Sequence, residues 1–501
     1  MSLTAGDSDG EPERSDSTTE AAGYGIRSQP LDISPKLLLP LLQVKIDRLT
    51  EEVVTVAYPE KAPTRSMRAK LHGAVAAIAI GLSEAYKTDS KRVVGINLKK
   101  SWYHGKPVSY AAYKTAYDAL CGLDYIDVAL KGVQSIRKNT KIFALPKLID
   151  YMEGVQPYHS LHGTGLGTLE LRDEKPANGK RGPLMEFEET AETKRMRKNL
   201  RVVNRALLSH WVDMDLTSAQ WKALHERAQS KQRNGKFREP VNLSKRTVKR
   251  VFNNRSFEQG GRFYGCWWQS VPSEYRTFIT IDGKRTCEVD FSEMVPRLAY
   301  AEADTEPPKG IYDVGLPAVP RGVIKTVLNS LLNAPGKIPV PDEFSKEAAG
   351  VSFGELQRRI KDKHHAIAYL FHTGAGLKLM RTESDIAEQV MLTFTERNIP
   401  VLPVHDSFLM HHGHEDELHA VMQSVSEKRT GRMIDVKSDE AHVSAFAATE
   451  VDAEPVSMGV DEVLKSLTAT DQDGGYYVRV QGWFNQQLEY REMVKDLFSL
   501  T

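Results

Sequence analysis

Apolar and polar positions change rhythm along this chain, and each change marks a predicted element. Ile399–Met410 is an apolar run, then His405-Asp406-Ser407, then a second apolar run. That pattern predicts two strands joined by a tight turn carrying one acid. Upstream, Thr286-Cys287-Glu288-Val289-Asp290-Phe291-Ser292 predicts a second apolar strand ending in an acid. Between them, from Pro320, Arg321, Lys325, Asn329 and Asn333 recur every fourth residue. They form one polar helical stripe opposite Val323, Ile324, Val327, Leu328, Leu331 and Leu332. Asparagine is a poor helix former, so its double use on that stripe argues for more than a solvated face.

The first third has a different rhythm. Leu37–Val56 is an apolar segment, and Thr64–Tyr86 predicts a helix with a small-residue face at Ala74, Ala76, Ala77, Ile78 and Ile80. Ser109 is placed to cap a helix running through Leu120, with Gly122 as its stop. Two short strands follow, Tyr125–Ala129 and Thr140–Leu145, joined by a basic loop. Helix, glycine stop and two-stranded ribbon resemble a winged helix-turn-helix domain. The Ser109 helix would then be its recognition helix. Lys114 on that helix, with Lys131, Arg137 and Lys138 in the wing, would be its nucleic-acid contacts, although such domains also bind proteins. Residues 151–193 are rich in Gly, Pro and charge and predict a linker. From Lys194 the chain turns basic, and a second cluster holds Lys245, Arg246, Lys249 and Arg250. Read as a helix, it places like charges at i,i+4, a repulsion that a phosphate backbone would relieve.

Composition narrows the classes. The 501 residues allow two to four domains, 41% hydrophobic content supports real cores, and a net charge of +1 means that nucleic-acid binding must rest on local patches. Cys121, Cys266 and Cys287 show no CxxC spacing, which fits a reducing cytoplasm rather than a disulfide framework or zinc finger. No apolar run approaches the ~20 residues that span a bilayer. The Ser-, Asp- and Glu-rich N-terminus, residues 1–30, reads as a disordered tail and lacks the features of a signal peptide. No P-loop is present, and the glycines at 163, 165 and 167 lack GxGxxG spacing. His411, His412 and His414 could bind a transition metal, but adjacent strand residues point to opposite faces.

The order acid, basic helix, acid is what two-metal nucleotidyl transfer needs. Two cations roughly 3.5–4 Å apart activate the attacking hydroxyl and stabilise the leaving pyrophosphate. Magnesium takes oxygen ligands and keeps several waters, so two carboxylates on adjacent strands suffice. Arg321 and Lys325 suit triphosphate oxygens.

Those residues carry a resemblance. Asp290-Phe-Ser-Glu-Met-Val-Pro-Arg297 resembles motif A of the family A DNA polymerases and the related single-subunit phage-type RNA polymerases. Arg321 with Lys325 resembles motif B, and Val404-His405-Asp406-Ser407 resembles motif C. The resemblance covers about residues 190–440. It implies an α+β fold with a right-hand palm, fingers and thumb-like module: thumb-like helices over 194–256, palm with motif A at 286–300, fingers helix at 320–334 and motif C at 399–412. It implies that Asp290 and Asp406 hold two Mg²⁺ ions, or Mn²⁺ in their place. Arg321, Lys325, Asn329 and Arg262 would serve the incoming nucleoside triphosphate. His405, Arg297, Arg246, Lys249 and Arg250 would serve primer and template.

The departures are specific. Val295 stands where the DNA polymerases have a glutamate that helps exclude a 2′-hydroxyl. Asn329 replaces an aromatic, and Asn333-Ala334 replaces a Tyr-Gly pair. Ser407 stands in place of the second acid after motif C, as in the phage-type RNA polymerases. Nothing before residue 190 suits a proofreading exonuclease. The expectation is therefore a winged-helix-like domain (31–150), a linker (151–193), a polymerase-like module (194–444) and a tail with short helices (445–501). The function expected is a cytoplasmic, template-directed DNA polymerase without proofreading, with specialised use in a phage or mobile element as an analogy alone. The alternatives are an RNA polymerase or primase on the same palm, and a catalytically silent nucleic-acid-binding regulator.

Overall fold

The computed structural model describes residues 28–33, 36–88, 90–103, 108–131, 139–162, 166–176, 182–229, 241–439, 442 and 475–499. The chain is α+β and divides into two compact units, residues 1–33 with 45–153, and residues 34–44 with 154–501. Among the described residues no helix is long and apolar enough to cross a membrane.

In the first unit, helix Arg65–Thr88 buries Ala74, Ala76, Ala77, Ile78 and Ile80, the small-residue face expected from the sequence, together with Leu71, Val75 and Leu82. Strand Val93–Ile96 follows, then helix Tyr110–Gly122, strand Ile126–Leu130 and strand Thr140–Ala144. Ser109 caps the helix, its side chain accepting from the Ala112 N–H at 3.3 Å. The sheet order places Thr140–Ala144 between Val93–Ile96 and Ile126–Leu130, with Ser28–Pro30 on the outer edge. Arg137 and Lys138 lie outside the described residues. Lys114 pairs with Asp118 one turn on, and Lys131 is exposed at the end of its strand.

Two of the second unit's sheets frame the candidate site. A six-stranded sheet carries both acids: Lys284–Phe291 is central, paired antiparallel with Ser407–His411, Ile279–Ile281 and Val436–Ser438. Its apolar face, Cys287, Val289 and Phe291, enters the core. Alternation then puts Glu288 and Asp290 together on the other face. A four-stranded sheet runs Ser256–Tyr264, Lys249–Asn253, Leu169–Arg172, Leu184–Met185. Gly260 and Gly261 have φ of +86° and +85°. A Cβ on Gly261 would come within 2.7 Å of the Ser384 hydroxyl and 2.8 Å of the Phe252 ring, so Gly261 lets the strand approach helix Gly376–Thr395.

Three expectations are corrected here. Residues 151–193 are no plain linker: strands at 160–162, Leu169–Arg172 and Leu184–Met185 lie within them, and the unit boundary falls at 153/154. The second basic cluster is not a helix. Lys249 and Arg250 open a strand that pairs in parallel with Leu169–Arg172, so among the described residues of the expected thumb region only 194–208 and 218–229 are helical. At the C-terminal end, helix Tyr476–Ser499 is no loose tail, because Trp483 and Tyr490 are fully buried in the core. Residues 445–474 of the expected tail with short helices lie outside the described residues.

Candidate active site

The two acids meet across one strand pair. Asp290 stands opposite Ser407, the residue after Asp406, and the Phe291 N–H donates to the Asp406 carbonyl at 3.3 Å. The turn forms as the sequence predicts, strand Leu402–Val404, then His405 and Asp406, then Ser407–His411. His405 takes a left-handed φ of +61°, a strained value for a side-chain-bearing residue. The hairpin is braced from below, where Trp268 Nε1 and Gln269 Nε2 donate to the Pro403 carbonyl at 3.3 and 3.0 Å. Trp267 and Trp268 are thus core residues.

Asp290 and Asp406 share a cleft of about 500 Å³ with Arg262, Arg297, Tyr312, Arg321, Lys325 and Asn329. Its size is that of a small-molecule site. The helix Arg321–Asn333 supplies one wall, with the predicted apolar face buried and Arg321 and Lys325 exposed. The Asn329 Oδ1 is buried with no hydrogen-bond partner. Arg321 lies 4.4 Å above the Tyr312 ring and 3.4 Å from Glu293. Arg297 pairs with Asp435 at 3.0 Å. Burial, then the charge of Asp406, pushes the Asp290 carboxyl up to about 7, while Lys437 opposes the shift.

A second cavity of about 630 Å³ also borders these two acids and is lined by Arg276, Glu288, His405, Ser407 and Lys437 among others. Burial, then Arg262, lowers the His405 pKa, so the ring is neutral at pH 7. Its Nδ1 has no hydrogen-bond partner, and the ring sits edge-on to Tyr264 at 5.7 Å.

Arg262 reaches the cleft but is not a free cation. Its Nε and Nη2 each donate at 2.6 Å to Glu383, which is 1% exposed. Such a bidentate pair fixes the guanidinium plane. Arg246 and Arg250 contradict the primer-template expectation. Both are buried, at 1% and 0% exposure. Arg246 lies over the Trp211 and Tyr490 rings and donates to the Tyr490 hydroxyl at 2.6 Å. Arg250 donates to Glu388 at 3.0 Å, to Ser384 at 2.9 Å and to the Gly261 carbonyl at 2.9 Å. Lys249 pairs with Glu170. These cations hold the fold together, because their partners lie on elements that no local pattern reveals.

Sequence reasoning missed Tyr312, Lys437 and Glu288. Lys437 reaches the site because Val436–Ser438 pairs with the Asp290 strand, placing Lys437 opposite Asp290. Glu288 had a readable signal, since it lies two residues before Asp290 on the same strand face.

Two carboxylates beside a cationic wall form a hard oxygen donor set that fits a divalent cation such as Mg²⁺ or Mn²⁺. Among the described residues no group of three or more His, Cys, Asp or Glu could by itself hold a metal ion, His411, His412 and His414 included. A cation held by Asp290 and Asp406 would complete its shell with other oxygens, from water, substrate or backbone carbonyls.

No family model matches the chain, and no curated protein matches it. Among solved structures it is similar to the POL domain of Pol1 from M. smegmatis, in complex with DNA primer-template and dNTP, with 12% identity, a TM-score of 0.28, and coverage of 79% of this chain and 69% of that one. At that TM-score the likeness assigns no residue a role.

Proposed function

We propose that the chain is a template-directed nucleotidyltransferase, most directly a DNA polymerase. The observation that carries this reading is the meeting of Asp290 and Asp406 on paired strands, at the edge of a cleft walled by the Arg321–Lys325–Asn329 stripe. Carboxylates facing cations across a nucleotide-sized space are what a substrate with an anionic triphosphate and a metal-activated hydroxyl requires.

Asp290 and Asp406 would hold Mg²⁺, or Mn²⁺, which when bound lowers the pKa of the attacking hydroxyl and neutralises the leaving pyrophosphate. Arg321 and Lys325 bind the triphosphate oxygens, Arg321 in a position set by Tyr312 and Glu293. Asn329, with its free carbonyl oxygen, borders the same space. Arg262, locked by Glu383, borders the same cleft as a further contact for the nucleotide, and the neutral His405 lies near the primer end. Arg297 serves as a wall of the cleft. Nucleic acid and nucleoside triphosphates are the partners of this reading.

The helix–strand–helix–ribbon order of the first unit supports the winged-helix reading, with helix Tyr110–Gly122 and Lys131 as the surface that meets DNA or a protein partner. Val295 borders the cleft where the DNA polymerases have a glutamate, which favours a ribonucleotide substrate as the second reading. A primer-extension assay with Mg²⁺ tests both, using deoxy- and ribonucleotides separately, with and without primer, beside Asp406→Ala. Incorporation lost in that variant with nucleic-acid binding kept is the expected result. Equal incorporation by wild type and variant removes the two-carboxylate assignment.

A further inference from the structure

Ser407 stands where the resembling DNA polymerases carry a second acid, yet the site does not lack a third carboxylate. The Ser407 hydroxyl donates to Glu288 Oε1 at 2.7 Å, and the other oxygen of Glu288 accepts from Arg276 Nε at 2.8 Å. Glu288 is 4% exposed, Ser407 5%, and both border the second cavity beside Asp290 and Asp406. A buried carboxylate is costly unless paired and hydrogen-bonded, and here each oxygen has its own partner. The single Ser407 hydroxyl proton is held mainly by Glu288, with the Val404 carbonyl at the other end of the turn a longer, shared acceptor at 3.2 Å. That turn carries a left-handed residue and needs such ties.

Resting on the reading above, the geometry points to Glu288 as a positioning residue of the Asp290–Asp406 site. Anchored by Arg276, it holds the Ser407 hydroxyl, fixes the Asp406 turn, and restores from the neighbouring strand the acid that Ser407 displaces. Groups that orient a metal-binding carboxylate through a hydrogen bond typically change affinity or activity about 10- to 100-fold when removed. Positions 288 and 407 lie on paired strands, one register step apart, with Leu409 opposite Glu288 and Asp290 opposite Ser407.

The test uses the full chain and Mn²⁺ itself as the probe, titrated and counted by electron paramagnetic resonance, beside nucleotide incorporation. Glu288→Gln keeps the shape but faces Arg276 or Ser407 with a second donor. Ser407→Ala leaves the Glu288–Arg276 pair intact. Both are expected to weaken Mn²⁺ binding about ten-fold and to lower kcat, with nucleotide KM little changed. The exchange E288S/S407E should return both quantities to within about three-fold of wild type, which a merely structural role would not predict. Wild-type Mn²⁺ affinity and turnover in both single variants overturn the proposal, as does a folded exchange variant that recovers neither. Asp406→Ala separates the two levels: if it loses Mn²⁺ while Glu288→Gln does not, only this inference fails, and if it keeps Mn²⁺ and incorporation, the reading of the site fails with it.

Discussion

Arg250→Met is the sharpest test of how the basic clusters are used. Arg250 is wholly buried and joins strand Lys249–Asn253 to helix Gly376–Thr395 through Glu388, Asp385 and Ser384. Removing the guanidinium leaves Glu388, 2% exposed, without its closest opposite charge. Breaking a buried pair in this way costs about 3–5 kcal/mol. Unfolding entropy is roughly 2 cal/mol/K per residue, so across a unit of this size the loss amounts to a fall of about 4–7 °C in Tm. Arg250→Met with Glu388→Leu removes both charges and should recover most of that loss, since buried pairs replaced by apolar groups are often neutral. Thermal unfolding followed by circular dichroism measures the stability. Fluorescence anisotropy of a labelled primer-template, taken well below Tm across a salt series, measures binding. Affinity and its salt slope should match wild type, because a buried, paired arginine releases no counterions from DNA. An unchanged Tm together with a shallower salt slope would refute the reasoning and return Arg250 to the phosphate-contact role.

Lys325→Ala, an exposed change on the cleft wall, should raise nucleotide KM about ten-fold or more and leave Tm within about 1 °C, read by steady-state incorporation and thermal unfolding. Asn329→Phe should fill the space beside its unpartnered oxygen and tighten nucleotide binding through base stacking worth about 1–3 kcal/mol, and weaker binding would argue that Asn329 makes a polar contact instead. His364 provides a pH test. Burial lowers its pKa to about 4, and its ring nitrogens meet the Tyr300 hydroxyl at 2.9 Å and the Ile311 carbonyl at 3.0 Å. The unfolded chain therefore takes up a proton near pH 6.5 that the fold refuses until about 4. Its contribution is complete above pH 6.5 and falls by about 3 kcal/mol as pH drops through that window. His364→Gln should be less stable at pH 7.5 and show a smaller further loss at pH 5.

Local pattern determined much of the candidate site. The apolar run before Asp290, the hairpin around Asp406 and the two-faced helix from Arg321 all form as their periodicities predict, because alternation and the 3.6-residue repeat are properties of short windows. The Ser109 cap and the small-residue face of Arg65–Thr88 were legible for the same reason. Tertiary structure alone decided which cations are available. Arg250 became a buried strut because Glu388 lies 138 residues away, and Arg262 was locked by Glu383 at a separation of 121. The cluster at 245–250 was misread because its strand takes its partner from Leu169–Arg172, inside a stretch whose glycines and charges look like a linker. Lys437 and the Glu288–Ser407 hydrogen bond likewise exist only through strand register. Charge and spacing show what a side chain can do, but the burial and pairing set by distant segments select which of those things it does.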